Sequence, residues 1–198
     1  DATGADLLGG DAVALTGPGG DFRAAVLMGD AMAGLALHQS FDLGQAQAQV
    51  GFTMMQADGS ILGIGAPQGV GDIRSVTHAL HLDVATPLAA DMALRISAEI
   101  GVSAGQGAGV LGDVSTLIYD RVGLSVARAD VGTNGDVLSV FARQPIAVTQ
   151  GSARLDLPVQ MSGNEIGFVS HDIGLAPAAR QRDLGFEYRV PVSRSGDL

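Results

Sequence analysis

The chain lacks several residue types, and each absence removes a class of function. It has no cysteine, which excludes disulfide bonds, thiolate metal sites and a cysteine nucleophile. It also has no lysine, so all 11 of its cationic side chains are arginine, and its formal net charge is -10. The densest basic group, Arg180, Arg182 and Arg189, is interrupted by Asp183 and Glu187. Because binding to nucleic acid needs a clustered basic surface, we expect no nucleic-acid partner.

Long apolar runs are missing as well. No apolar run reaches about 18 residues, so the sequence predicts no transmembrane helix. No signal-peptide pattern is visible at its start. Aromatic residues make up only 4% of the chain, whereas glycine is abundant at 29 residues and hydrophobic residues reach 46%. A chain of 198 residues with this composition predicts one folded domain, residues 1–198, that is rich in turns or in small side chains on strands.

The dominant pattern is an alternation of apolar and polar residues with a period of two. In residues 91–102 the even positions from Met92 to Val102 are apolar and the odd positions are polar or small. Successive side chains of a strand point to opposite faces, so this pattern predicts a strand with two unlike faces. The same alternation recurs in residues 78–85, 121–128, 153–159 and 184–190. We therefore predict an all-β fold, an antiparallel meander of about ten strands that forms a β-barrel or a barrel-like sandwich.

Turn signals separate these runs. They are Gly17–Gly20, Asp58–Gly59, Asn134–Asp136, Gln150–Gly151 and Ser162–Asn164. Residues 86–90 predict a short turn, and the glycine-rich residues 104–113 predict a mobile loop. Residues 24–37 would suit either strands or a short helix, and the neighbouring strands favour strands. The last residues, 193–198, resemble a polar turn that leads into another strand, so we expect an architecture that is unfinished at its C-terminal end.

The sequence offers little chemistry. No serine lies in a Gly-x-Ser-x-Gly elbow, and we predict no catalytic residues and no enzymatic activity in this chain. His78 and His81 are three residues apart, which places them on opposite faces of a strand. One histidine is therefore expected to pack on the apolar face and the other to be solvated, and neither to bind a metal.

One loop has weak calcium-binding character. Asp130, Asn134 and Asp136 supply oxygen ligands in a glycine-containing segment. The loop lacks the full ligand spacing and a terminal bidentate glutamate, so a plain hairpin turn is the favoured interpretation. We expect no metal and no cofactor.

Four stretches resemble one protein family, in that family's order. They are GFTMMQADGSILGIGAPQG (51–69), LHLDVATPLAADMALRISAEIGVS (80–103), VLSVFARQPIAVTQGSARLDLPV (137–159) and IGLAPAARQRDLGFEYRVPV (173–192). The chain thus resembles the C-terminal β-domain of alphaproteobacterial subtilisin-like serine peptidases, some of which are described as autotransporters. From the first stretch to the last, the resemblance spans about two thirds of the chain.

The resemblance implies a function without chemistry of its own. It implies a barrel-like domain at the end of an exported bacterial serine protease, located extracellularly or in the outer membrane, that serves secretion, surface anchoring or assembly. The family's catalytic residues lie upstream, in a domain that this chain does not contain. The implied partner is the protease domain itself.

The alternation is compatible with two arrangements of the faces. In a membrane barrel the apolar face would meet lipid and the small and charged face would line the interior. In a soluble barrel or sandwich the apolar face would form the core, and the domain would bind partners, or a second copy of itself, through free strand edges. Two aromatic girdles need more than six Phe and two Tyr, so composition favours the soluble arrangement.

Overall fold

The computed structural model describes residues 11–62, 64–65, 73–107, 109–163 and 165–191, and this part of the chain contains strands and turns but no helix. Accordingly, none of the described residues form a helix that could span a membrane. The thirteen strands are β1 Asp11–Thr16, β2 Phe22–Gly29, β3 Met32–Leu43, β4 Ala46–Asp58, β5 Ser60–Ile61, β6 Ile64–Gly65, β7 Ile73–Ala89, β8 Met92–Gly107, β9 Leu111–Ala129, β10 Val137–Gln150, β11 Ser152–Gln160, β12 Ile166–Gly174 and β13 Asp183–Arg189. The predicted all-β class is confirmed.

Eleven of these strands form one antiparallel sheet with the topology of a meander. The order is β1-β2-β3-β4-β7-β8-β9-β10-β13, and β11 pairs with both β9 and β12. Strands β10 and β11 run one after the other alongside β9, and together they make one crossing of the sheet. Strands β12 and β13 likewise make the next crossing, in the opposite direction. The eleven described strands therefore cross the sheet nine times. In the described residues the sheet is open, with β1 at one edge and β13 at the other.

All five alternating stretches lie in strands, which confirms the period-two prediction. The pairing of β7 with β8 runs from Ile73 opposite Gly107 to Ala89 opposite Met92. Strands β8 and β9 pair over a similar length, from Met92 opposite Arg128 to Gln106 opposite Asp113. Residues 24–37 form the β2–β3 hairpin, as the strand interpretation predicted, and turn at Asp30 and Ala31.

Three local predictions were wrong. Residues 86–90 continue β7 to Ala89, and the predicted loop at 104–113 is mostly strand, because β8 reaches Gly107 and β9 begins at Leu111. Glycine lets neighbouring backbone segments approach closely there, since a Cβ on Gly107 would lie 2.5 Å from two backbone oxygens. Gly151 does not reverse the chain, because β11 continues the path of β10 past Leu117.

The two faces of the sheet differ sharply in burial. On β7, Ser75, Thr77 and Ala79 are buried, whereas the alternate residues are exposed. The same holds on β8, where Ser103 is 0% exposed and Ile100 is 55% exposed. Because the sheet is a single layer, such burial of one face indicates that the sheet curls around it. We call this the inner face, and the opposite one the outer face.

A small apolar core closes one end of the inner face. Val114, Leu117 and Ala153 are buried there, and Ile61 of the β5–β6 hairpin packs against them. A Cβ on Gly105 would lie 2.7 Å from Cδ1 of Ile61, so glycine at this position makes room for the hairpin. Elsewhere the inner face is lined by many small and polar side chains, together with a few large apolar ones such as Leu27.

Candidate functional site

A row of charged side chains crosses the middle of the inner face. His81 on β7, Glu99 on β8 and Arg121 on β9 lie directly opposite one another in the strand register. Nδ1 of His81 lies 3.0 Å from Oε2 of Glu99, and Nε of Arg121 lies 2.6 Å from the same oxygen. The Glu99 side chain is 7% exposed, so Arg121 balances its charge and His81 adds a hydrogen bond in place of water. This ionic row ties three strands together across the interior.

Thr53 of β4 extends the ionic row to a fourth strand. Its hydroxyl lies 3.0 Å from Nε2 of His81. The Glu99 carboxylate favours a proton on Nδ1 of the ring, which leaves Nε2 of the neutral imidazole to accept from the Thr53 hydroxyl. The hydroxyl–imidazole–carboxylate order is also that of a nucleophile, base and acid.

The surroundings of Thr53 do not complete a hydrolytic centre. Such a centre needs backbone amides that are free to stabilise an oxyanion. Strand β4 pairs with β3 and β7, and β7 with β8, in unbroken register around Thr53 and His81, so the neighbouring amides belong to the sheet ladder. Within the described residues, the geometry therefore favours a structural network over a catalytic one.

Aromatic and hydroxyl side chains surround the ionic row. The ring of Tyr119 lies against Gly101, where a Cβ would come within 2.3 Å of it. Deeper in the interior, the hydroxyls of Thr77 and Ser103 hydrogen-bond at 2.8 Å. Toward the opposite end, Arg95 and Asp83 form an ion pair at 2.8 Å. The inner face is thus a polar interior in which each of these groups has a partner.

The outer face presents apolar side chains to the surroundings. The exposed large residues in the central strands are Val76, Leu80 and Leu82 on β7, Ile96, Ile100 and Val102 on β8, and Val122 and Leu124 on β9. Apolar residues thus point outward along the whole stretch from Met92 to Val102. In the described strands these residues are exposed and do not form a core. A contiguous exposed apolar surface of this kind marks an interaction with protein or lipid.

A polar cluster lies on the outer face of β9. Asp120 of β9 accepts hydrogen bonds from Nε2 of Gln144 at 2.6 Å and from Arg180 at 3.1 Å. This cluster lies where β10 bulges between Gln144 and Ala147. Arg180 therefore pairs with a carboxylate, as Arg189 does with Glu187 at 2.7 Å. Neither contributes to a basic patch.

The two histidines lie on opposite faces, as their spacing predicted. His78 is exposed on the outer face, where its ring stacks on Phe52 with centroids 6.1 Å apart. His81 belongs to the ionic row and is not the solvated residue that the spacing suggested. The ionic row could not be predicted from the sequence, because the register of the strands, and not separation along the chain, determines which residues are cross-strand neighbours.

The weak calcium candidate forms the β9–β10 turn. The Asp136 side chain is fully buried, and its oxygens accept the backbone N–H groups of Val131, Gly132 and Thr133 at 2.7–2.9 Å, together with the hydroxyl of Tyr188. The hydrogen bond from Tyr188 is the main reason that the pKa of Asp136 is lowered to about 2.

The remaining calcium candidates serve the same turn. Oδ1 of Asp130 accepts the N–H of Gly135 at 2.6 Å, and Asn134 is exposed. The carboxylates of Asp130 and Asp136 therefore accept hydrogen bonds from groups of the same turn. This arrangement stabilises a turn rather than binding a cation. No group of three or more histidine or acidic residues suited to a metal occurs among the described residues.

Comparison with known proteins gives no relative for this chain. It matches no family of proteins, no curated protein and no solved structure.

Proposed function

We propose that this chain is a non-catalytic, membrane-inserted β-domain of an exported protein, with its outer face against lipid and its inner face around a polar interior. The observation that carries the proposal is the direction of the faces: apolar side chains point out, and the ionic row Glu99, His81 and Arg121 points in. Membrane barrels alternate in this sense, whereas water-soluble sheets bury the apolar face.

The dimensions of the outer face support the proposal. A strand that crosses a bilayer at a tilt needs about 9–11 residues. Met92 to Val102 supplies a stretch of that length, with an apolar residue at every outward position. The neighbouring strands β7 and β9 are at least as long.

Four exposed aromatic side chains lie toward one rim, whereas Phe168 lies on the β11–β12 hairpin at the other end. Phe22, Phe41, Phe186 and Tyr188 all lie on outer positions near the end of the sheet that holds the β9–β10 turn. Aromatic residues concentrate where a membrane barrel meets the headgroups. The polar cluster of Asp120 is an exception on the outer face, and its charge is paired with Gln144 and Arg180.

The proposed role is secretion or surface anchoring of an attached protein. The resemblance to the C-terminal domains of subtilisin-like peptidases supports a protease as that protein, in a bacterial outer membrane. An alternative is a soluble extracellular module that acts by strand pairing, which the open sheet edges favour.

The test is refolding of residues 1–198 from denaturant, with and without lipid vesicles. We expect circular dichroism to show β structure with vesicles, and we expect the protein to float with them and to resist extraction at alkaline pH. A cooperatively melting protein that is soluble without lipid or detergent, and does not float, would establish the alternative.

A second experiment addresses export. A reporter domain fused ahead of the chain and expressed in a Gram-negative bacterium should become accessible to external protease. The matched control carries Leu80→Arg, which places a charge on the outer face and should abolish display. Equal display by both would remove the role in surface anchoring.

A further inference from the structure

Strand β13 lies at an edge of the sheet and carries its most exposed apolar side chains. Among the described residues, β13 pairs on one side with β10 and has no strand on the other. Its outward side chains Leu184 and Phe186 are 83% and 77% exposed, more than any other large hydrophobic residue described. Unpaired backbone groups along such an edge are a template for another strand.

The edge β1 of the same copy is a poor match for β13. Nine antiparallel crossings leave the first and last strands running in the same direction, so β1 and β13 could pair only in parallel. Every other pairing in the sheet is antiparallel. A second copy related by a two-fold axis avoids this conflict, because a strand that pairs with itself across the axis is antiparallel.

We propose that the chain forms a two-fold symmetric dimer in which β13 pairs with β13 of a second copy, with Phe186 opposite Phe186. The proposal goes beyond membrane insertion and does not depend on it, since edge pairing satisfies backbone groups in water and in lipid alike.

Charge selects the register. In an antiparallel pair, directly opposed residues share a face, so the axis must pass through a residue position. Centred on Phe186, the pairing places Asp183 of each copy opposite Arg189 of the other. Centred on Gly185, it would oppose Asp183 to Glu187, and centred on Glu187 it would oppose that residue to itself. The register at Phe186 gives two attractive pairs and no repulsive one, and it pairs all seven residues of β13. A register centred on Tyr188 would oppose Glu187 to Arg189 but would pair only three residues of the strand.

The side chains of the outer face fit the same register. Leu184 lies opposite Tyr188, and the two Phe186 rings meet at the axis, where aromatic and aliphatic cross-strand pairs are favourable. On the inner face, Gly185 leaves room for the ring of Phe141, which a Cβ would approach to 2.6 Å. The dimer would thus extend the outer face across the junction.

The absence of cysteine makes a direct test possible. Phe186→Cys should oxidise to a disulfide-linked dimer in detergent, because directly opposed Cα atoms of about 4.5–5.5 Å lie within disulfide range. Leu184→Cys is the matched control: its two copies would be about 13 Å apart at four residues' offset and should not cross-link. An equimolar mixture of Leu184→Cys and Tyr188→Cys should give the mixed dimer. Cross-linking by Leu184→Cys alone at the rate of Phe186→Cys would overturn the register.

Charge reversal provides an independent test. Arg189→Asp should weaken dimerisation about tenfold in sedimentation equilibrium, since two attractive pairs become repulsive. The double variant with Asp183→Arg as well should restore it, while Asp172→Arg on β12 should leave it unchanged. A monomeric wild-type chain at high concentration would disprove the dimer whatever the outcome of vesicle flotation, and a dimer that does not float would disprove only membrane insertion.

Discussion

The central strands β7–β9 and the β11–β12 hairpin both alternate apolar and polar residues. They differ in which kind of residue lies on the outer side close to the sheet. In the central strands most outward positions are apolar, as at Leu80 and Ile100. In the hairpin the residues on the outer side are charged or hydroxylic near the sheet, and they interact: Arg154 pairs with Asp172 and Ser170 bonds to Asp156. Leu155, Leu157 and Val169 point to the inner side, whereas Phe168 and Ile166, farther from the sheet, share the outer side.

The contrast shows that alternation defines a strand but not which face lies inside. The inner side of the hairpin begins at Ala153, in the small core with Leu117, so its apolar residues continue that core. Strand β9 begins at Leu111, opposite Leu155, and the rest of the hairpin extends beyond it. We therefore expect the hairpin to project into water while the central strands meet lipid.

The largest effect is expected for a substitution in the small apolar core that the inner side of the hairpin continues. Leu117 is 2% exposed, and Leu117→Ala should lower the free energy of unfolding by about 3–4 kcal/mol through lost burial and a cavity. Leu80→Ala is the matched control, since its side chain is 55% exposed and its truncation leaves no cavity, so it should lower the stability of the vesicle-inserted protein less. Urea titration of both variants measures the difference, and equal losses would contradict the assignment of the faces.

A charge on the outer face of the central strands should have the next largest effect. Leu80→Arg should destabilise the vesicle-inserted protein by about 2–3 kcal/mol, because the guanidinium must enter lipid. Ser170→Arg places the same charge on the outer side of the hairpin beside Asp156 and should be nearly neutral. Refolding into vesicles at graded urea concentrations provides the measurement. A neutral Leu80→Arg would mean that this face meets water.

Removal of the central carboxylate should cost somewhat less. Glu99→Ala leaves His81 and Arg121 without their shared partner, and we expect a loss of about 2 kcal/mol, moderated because the Arg121 side chain is 53% exposed. Glu187→Ala removes an exposed partner of Arg189 and should cost less than about 0.5 kcal/mol. If the two losses were equal in denaturant titrations, the ionic row would have no special role.

The smallest effect is a pH dependence at the β9–β10 turn. The folded pKa of Asp136 is about 2, below its usual value, so the unfolded chain binds the proton more readily. The stabilisation is complete above the usual aspartate pKa and is lost as pH falls from about 4 toward 2. Asp136→Asn should flatten this part of the curve of urea midpoint against pH. An unchanged slope would mean that other carboxylates cause the acid sensitivity.

Strand positions could be predicted from sequence because they depend on local alternation. Residues 91–102 show it over their whole length, and β8 contains all but the first of them. The continuation of β8 to Gly107 could not be predicted, because the glycines there accommodate Ile61 and a neighbouring backbone that only the fold brings near. The turn signal at Gly151 failed for the same reason.

The candidate site was beyond sequence reasoning. Glu99 and Arg121 are 22 positions apart, and their contact depends on the turn length and on the bulge that sets the register of β8 and β9. The polarity of these positions was visible, but their opposition was not. The direction of the faces depends in turn on what covers them, which neither alternation nor composition specifies.

The last two crossings of the sheet are each divided into two strands, and this division has a consequence for folding. Strand β10 gives way to β11 after Gln150, and β12 ends at Gly174 well before β13 begins at Asp183. Residues 152–174 therefore form a hairpin whose own nine pairs are all local in sequence. Such a segment can zip early and open on its own. Its amides should exchange with solvent as one cooperative unit, separately from those of β8 and β9.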